Sequence, residues 1–166
     1  MGNNAERRRV DLVFRRMFVL NRQGQISVRL DETMRSLITH VSEELRQVLL
    51  VEDPELTRRL YPTAYTDDEE AEGDYQEVVH DQLLMQRLDD IDQLQASIEN
   101  EEISIELADA WMNTINQVRL VLGTKLDVGE EPADIDEEDP DSRSHMIYQV
   151  LSHILEELTN ARIGAL

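Results

Sequence analysis

Apolar residues recur every three or four positions in four separate stretches of this 166-residue chain. This spacing places them on one side of an α-helix, and that side has to be buried against another element. A short fifth helix is expected from the Asp53 cap through Leu60, before Pro62. The patterns predict a mainly α (α+β) fold, an N-terminal β-hairpin packed on a bundle of about five helices, in a single domain 1–166. The four stretches are 34–51, 78–98, 107–126 and 146–158.

The hairpin is predicted near the start of the chain. Asp11 to Leu20 is rich in Val, Phe and Leu, residues 21–24 read Asn-Arg-Gln-Gly, and residues 25–30 alternate polar and apolar side chains. This order of strand, turn and strand is typical of a hairpin. The alternate apolar residues of the second strand are expected to face the core: Ile26, Val28 and Leu30.

Short polar side chains mark the expected helix starts. Asp31 and Ser104 precede apolar-periodic stretches and can accept hydrogen bonds from the free backbone N–H groups of the first turn. Asp53 is followed by Pro54, which suits the first position of a helix. The last helix is expected to begin near Ser142 or Ser144.

The third and fourth helices carry more specific expectations. The fourth is the most apolar, so we expect it to be central, with Gly123 or Gly129 as its exit. The third is expected to bury one stripe of residues: Val78, Leu84 or Met85, Leu88, Ile91, Leu94 and Ile98.

Three segments are expected to remain outside the packed core. Residues 1–10 are predicted to form a flexible basic leader, and residues 66–74 and 129–141 are predicted to be acidic loops. Segments this charged bury too little apolar surface to offset the cost of ordering the chain.

Charge is unevenly distributed along the sequence. Eight of the 16 Lys and Arg lie within the first 35 residues, which carry a net +4, whereas the whole chain carries −20 and the remainder therefore −24. The acidic part would repel phosphate groups, so any contact with DNA has to be made by the first 35 residues.

The basic segment contains the candidate partner-binding residues. Arginine can form paired hydrogen bonds to carboxylates or phosphates, so a protein partner and a nucleic acid are both open alternatives. A third alternative is that these arginines neutralise the protein's own acidic residues, within one chain or across a dimer. The candidates are Arg7, Arg8, Arg9, Arg15, Arg16, Arg22 and Arg29.

The sequence offers little support for an enzyme. It contains no cysteine, which excludes disulfides and thiolate chemistry. It also lacks a Gly-rich phosphate loop and a nucleophile elbow. Glu77 and His80 have the Glu-x-x-His spacing of metal-binding bundles, which makes a metal-dependent enzyme a distant alternative. We therefore expect a non-catalytic protein without a cofactor.

Since no apolar run reaches about 18–20 residues and no secretory signal is visible, we expect no membrane contact and a cytoplasmic location.

Two sequence blocks carry a family resemblance. Residues 52–65, which precede an acidic stretch, and residues 111–127 resemble an actinobacterial domain-of-unknown-function family. Some of its proteins are described as actinomycete oxidative-stress transcriptional regulators. The resemblance implies a small regulator of transcription that contacts a sigma factor or RNA polymerase. Any cysteine-based sensing in that family cannot operate in this cysteine-free chain. A homodimer is also expected, because the last helix has a broad apolar face.

Overall fold

The structure is a computed structural model that describes residues 15–61, 63–127 and 140–166. In these residues the chain forms five helices and a three-stranded antiparallel sheet, which confirms the predicted α+β helical bundle. The elements in chain order are β1 (Phe18–Leu20), β2 (Ile26–Val28), α1 (Glu32–Val51), α2 (Pro54–Thr57), α3 (Glu69–Ser97), β3 (Glu102–Ile103), α4 (Ile105–Lys125) and α5 (Ser142–Ile163).

Helix α4 is the centre of the bundle, as its apolar sequence predicts. It packs against α1, α2, α3 and α5, and its Trp111 is completely buried. The Trp111 Nε1 donates to Ser97 Oγ at 2.8 Å, and the indole meets the Phe18 ring edge-on at 6.3 Å. One contiguous core therefore joins the hairpin to the helices.

The predicted helix caps are confirmed. The side chain of Asp31 accepts from the Met34 N–H at 2.8 Å, and Ser104 Oγ accepts from the Leu107 N–H at 3.2 Å. Asp53 caps α2 by accepting from two backbone N–H groups, with Pro54 at the first helical position. Each side chain satisfies backbone donors that the helix itself leaves unpaired.

The sheet differs from the predicted hairpin by one strand. Ile26, Val28 and Leu30 are buried as expected, but β3 pairs with β2 through the register Ile26↔Ile103. A two-residue strand is too short to produce an alternating pattern, so the sequence did not reveal it. β1 begins at Phe18, and the earlier part of the predicted first strand reaches into residues that lie outside the described chain.

The predicted acidic loop 66–74 is wrong in its second half, because α3 begins at Glu69. Asp68 caps this helix by accepting from the Ala71 N–H at 3.0 Å. Acidic residues in a first turn interact favourably with the positive end of the helix dipole. Glu72 also accepts hydrogen bonds from the Gln76 side chain and from the Tyr65 and Ala64 N–H groups, and these bonds lower the pKa of its carboxyl. The charge that predicted a loop therefore stabilises a helix start.

Helix α3 is buried only in its second half. Ile91, Leu94 and Ile98 lie in the core as predicted, whereas Val78 is 66% and Met85 72% exposed. The prediction is wrong for Val78, since the fully buried residues of α3 begin only at Asp90. Of the alternatives Leu84 and Met85, Leu84 is the residue that packs against the core.

Other predicted boundaries also need correction. α2 ends at Thr57 rather than Leu60. Gly123 lies inside α4 instead of ending it: a Cβ there would lie 3.2 Å from Arg59 Nη1 and 3.3 Å from Tyr148 Cε2, so glycine permits a close approach. The last helix begins at Ser142 as expected. The predicted leader 1–10, Gly129 and nearly all of the predicted loop 129–141 lie outside the described residues.

Asp90 is a buried carboxylate between α3 and α4. Its oxygens accept from Gln86 Nε2 at 3.2 Å and from Asn113 Nδ2 at 3.1 Å, yet burial raises its pKa. A raised folded-state pKa adds stability that is fully present below the unfolded-state pKa and is lost as the pH rises through the folded-state pKa.

We therefore expect Asp90→Asn to change the pH dependence of stability. The variant lacks the cost of a buried charge, so its unfolding free energy relative to wild type should be most favourable at neutral pH. The difference should fall as the pH is lowered to about 4, where an ordinary aspartate begins to protonate. Urea denaturation across this range measures it, with Asp74→Asn on the exposed part of α3 as the control. A difference independent of pH would contradict the expectation.

Candidate partner-binding surface

The four candidate arginines that the structure describes lie just outside strands β1 and β2, and all four are exposed. They do not form a single cluster. Arg22 lies in the β1–β2 turn, whereas Arg15 and Arg16 lie at the opposite end, next to Met17, whose carbonyl accepts from the Arg29 N–H at 2.8 Å. We call Arg15, Arg16 and Arg29 the arginine end of the sheet. Arg7, Arg8 and Arg9 lie outside the described residues.

Helix α5 fixes the position of the arginine end. Glu157 of α5 accepts from the Met17 N–H at 2.6 Å, which fastens the start of β1 to this helix. Arg16 lines a cavity of about 340 Å³ together with Glu157 and Asn160. The helical bundle therefore holds the backbone from which these arginine side chains extend.

The described residues provide no ion pair for Arg15, Arg16, Arg22 or Arg29. Other cations of the chain are engaged: Arg46 binds Asp92 and Arg162 binds Asp109, and these contacts raise the pKa of both guanidinium groups. Neutralisation by the protein's own carboxylates therefore does not account for the sheet arginines within this part of the chain.

Acidic residues border the same sheet. β3 places Glu102 opposite Ser27, and the Glu101 carbonyl accepts from the Val28 N–H at 2.7 Å. Glu101 and Glu102 are exposed, and Glu102 accepts from Asn21 Nδ2 at 3.0 Å. The surface thus presents both signs of charge within a few residues of each other. The sequence pattern missed this because the two glutamates lie far from the hairpin along the chain.

Arg35 belongs to the basic segment but has a structural role. Its Nε donates to the Leu30 carbonyl at 3.2 Å, and its Nη1 donates to the carbonyls of Ile98 and Asn100. The side chain therefore joins α1 to the end of β2 and to the α3–β3 connection, and it is not available to a partner.

Three of the four histidines each pair with one carboxylate. His80 lies 3.3 Å from Glu52 and stacks on the Tyr61 ring at 4.4 Å, so its observed partner is not the Glu77 considered for a metal site. His153 lies 3.4 Å from Glu157, a pair whose spacing the sequence shows. Among the described residues, no group of three or more His, Asp or Glu side chains could hold a metal ion.

A second surface feature is an apolar groove of about 530 Å³. α1 and α5 both pack on α4 but not extensively on each other, so the groove lies between them with α4 as its floor. Its polar rim contains His40, Glu44, Lys125, Arg143 and Ser144. Its apolar lining consists of Leu37, Val41, Leu45, Val48, Leu56, Val118, Val121, Leu122 and Ile147.

None of the helices in the described part of the chain is long and apolar enough to span a membrane.

The comparisons with known proteins identify a family but no characterised relative. No curated protein and no solved structure matches the chain. Residues 14–162 match the family described as "Domain of unknown function (DUF2017)". Because this match covers nearly the whole sequence, the chain belongs to the DUF2017 family.

Proposed function

We propose that this protein is a non-catalytic regulatory protein that binds another protein through the arginine end of its sheet. The observation that carries the proposal is that Arg15, Arg16 and Arg29 are exposed, close together along the sheet and without ion pairs to the other described residues. Arginine is enriched among the residues that dominate binding energy at protein interfaces. A guanidinium that is not already paired does not have to give up an internal contact when it binds.

The charges around the sheet favour a protein partner over nucleic acid. A DNA backbone that reached Arg29 would also approach Glu101 and Glu102, and repulsion between these carboxylates and phosphates would oppose binding. A protein can present acidic groups to the arginines and basic groups to the glutamates. The partner surface that fits is therefore one of mixed charge.

We assign the partner to the transcription machinery, as a sigma factor or RNA polymerase, in the response to oxidative stress. This finer assignment rests on the sequence resemblance of residues 52–65 and 111–127. In this proposal the protein acts in the cytoplasm. With no cysteine in the chain, the signal has to act by a means other than a thiol switch.

Direct binding to purified RNA polymerase and to individual sigma factors tests the proposal. Reversing the charge of Arg15, Arg16 and Arg29 together is expected to weaken binding by at least about tenfold, which corresponds to 1.4 kcal/mol. Biolayer interferometry measures the dissociation constants of wild type and variants.

A matched pair of single variants separates a local contact from a general charge effect. Arg29→Glu and Arg58→Glu change the net charge equally, and both arginines are exposed, but Arg58 lies just after α2 and away from the sheet. We expect only Arg29→Glu to weaken binding. Equal losses of affinity in both variants would reject the assigned surface. Absence of binding by the wild-type protein would reject the assigned partner.

The nucleic-acid alternative predicts a different result. If the arginine end grips phosphates, duplex DNA is retarded in a gel at low salt and released steeply as salt increases. Such a result, abolished by Arg29→Glu, would replace the protein-binding proposal.

A homodimer would have to use a surface other than the apolar face of the last helix. The apolar residues Leu151, Ile154 and Leu158 of α5 are buried in the protein's own core. Light scattering after size-exclusion chromatography measures the mass. A dimer that survives charge reversal at the arginine end would have to form elsewhere on the chain.

A further inference from the structure

We propose that the groove between α1 and α5 binds a free carboxylate with a single hydrocarbon chain, such as a medium-chain fatty acid. This inference does not rest on the arginine end, which contributes no residue to the groove. Its volume of about 530 Å³ lies within the range of small-molecule sites. Apolar walls from four helices and a small number of polar rim groups are also typical of such sites.

The dimensions of the groove favour a narrow ligand. Its α1 wall runs from Leu37 to Val48, which spans about 16 Å at 1.5 Å per residue. An α-helix with side chains is about 10–12 Å in diameter, so only one of its faces could enter the groove. A hydrocarbon chain is only one CH₂ group wide and fits.

The rim charges favour an anionic head. Lys125, in the last turn of α4, and Arg143, in the first turn of α5, both line the groove. Neither forms an ion pair with another described residue. Glu44, the acidic lining residue, lies 3.5 Å from His40 on the same helix. The positive charge of these two lining residues complements a carboxylate.

Isothermal titration calorimetry at low ionic strength tests the inference, with dodecanoate as the probe and below its micelle-forming concentration. We expect saturable binding of one molecule per chain, and binding of dodecanol at least about tenfold weaker because it lacks the charge. Each CH₂ added between octanoate and dodecanoate should raise the affinity by up to about fourfold. Vesicles of phosphatidylglycerol should not bind, because the groove accepts one free chain.

Two variants locate the site. Lys125→Glu with Arg143→Glu should weaken dodecanoate binding by at least about tenfold, whereas Arg22→Glu with Arg58→Glu, which changes the net charge equally outside the groove, should not. Val121→Trp should also reduce the affinity, by filling the apolar channel. Methyl chemical shifts of Leu37, Val121 and Ile147 in the wild-type protein report the location even if the tryptophan variant does not fold.

Several results would overturn the inference. Absence of saturable binding, equal binding of dodecanoate and dodecyltrimethylammonium, or methyl shifts confined to residues outside the groove would each contradict it. A loss of folding stability in the Lys125→Glu, Arg143→Glu variant, together with no ligand binding by wild type, would assign these cations to an intramolecular role.

Discussion

Replacing Trp111 with alanine is expected to lower the free energy of unfolding by about 3–5 kcal/mol. The side chain is fully buried and lies where α3, α4 and the hairpin meet, so its removal leaves a cavity in the centre of the core. It also removes the donor to Ser97 Oγ and the edge-on contact with Phe18. Since small domains are stable by only about 5–15 kcal/mol, the variant should be close to unfolding at ambient temperature.

Trp111→Phe separates the effect of the cavity on stability from the effect of the lost hydrogen bond. It retains an aromatic ring but not the indole N–H, and we expect it to lower the free energy of unfolding by about 1–2 kcal/mol. Because Trp111 is the protein's one tryptophan, unfolding has to be followed by far-UV circular dichroism in urea rather than by fluorescence. A cost below about 1 kcal/mol for Trp111→Ala would show that the core is not organised around this residue.

The second large effect is expected at Arg35. Arg35→Ala should lower the free energy of unfolding by about 2–3 kcal/mol. The reason is that hydrogen bonds from a charged group to the carbonyls of Leu30, Ile98 and Asn100 are lost together. These bonds join three segments distant along the chain, so hydrogen exchange should increase in β2 and β3 before it increases in α5.

Two variants serve as controls for Arg35. Lysine has no planar fork of donors, so Arg35→Lys should recover only part of the lost stability. Arg29→Ala removes an exposed arginine of the same sheet and should change the unfolding free energy by no more than about 0.5 kcal/mol. Similar costs for Arg35→Ala and Arg29→Ala would contradict the distinction between a structural and a partner-binding arginine.

Local signals in the sequence predicted most of the helical fold. The caps at Asp31, Asp53 and Ser104 and the central position of α4 were correct, because caps and periodicity depend on residues only a few positions apart. The start of α3 was missed because acidic residues favour both a solvated loop and a helix N-terminus. The Asp68 cap and the bonds from Ala64 and Tyr65 to Glu72 fix the helix start in the folded chain.

The candidate site was predictable only in part. Sequence identified the sheet arginines, but it grouped Arg22 with Arg29. The structure places Arg22 at the opposite end of the hairpin and engages Arg35 with backbone carbonyls. It also adds Glu101 and Glu102 beside β2. The groove was not predicted, because it arises from α1 and α5 packing on a common helix rather than on each other.

The sequence by itself determined which segments become helices, which faces are apolar and where positive charge is concentrated. These properties follow from backbone propensity, side-chain periodicity and composition, all of which act between near neighbours. The tertiary structure decided which arginines are available, which carboxylates adjoin them and whether a groove exists. Each of these depends on contacts between residues that are distant in sequence, whose distances the packing of the whole chain sets.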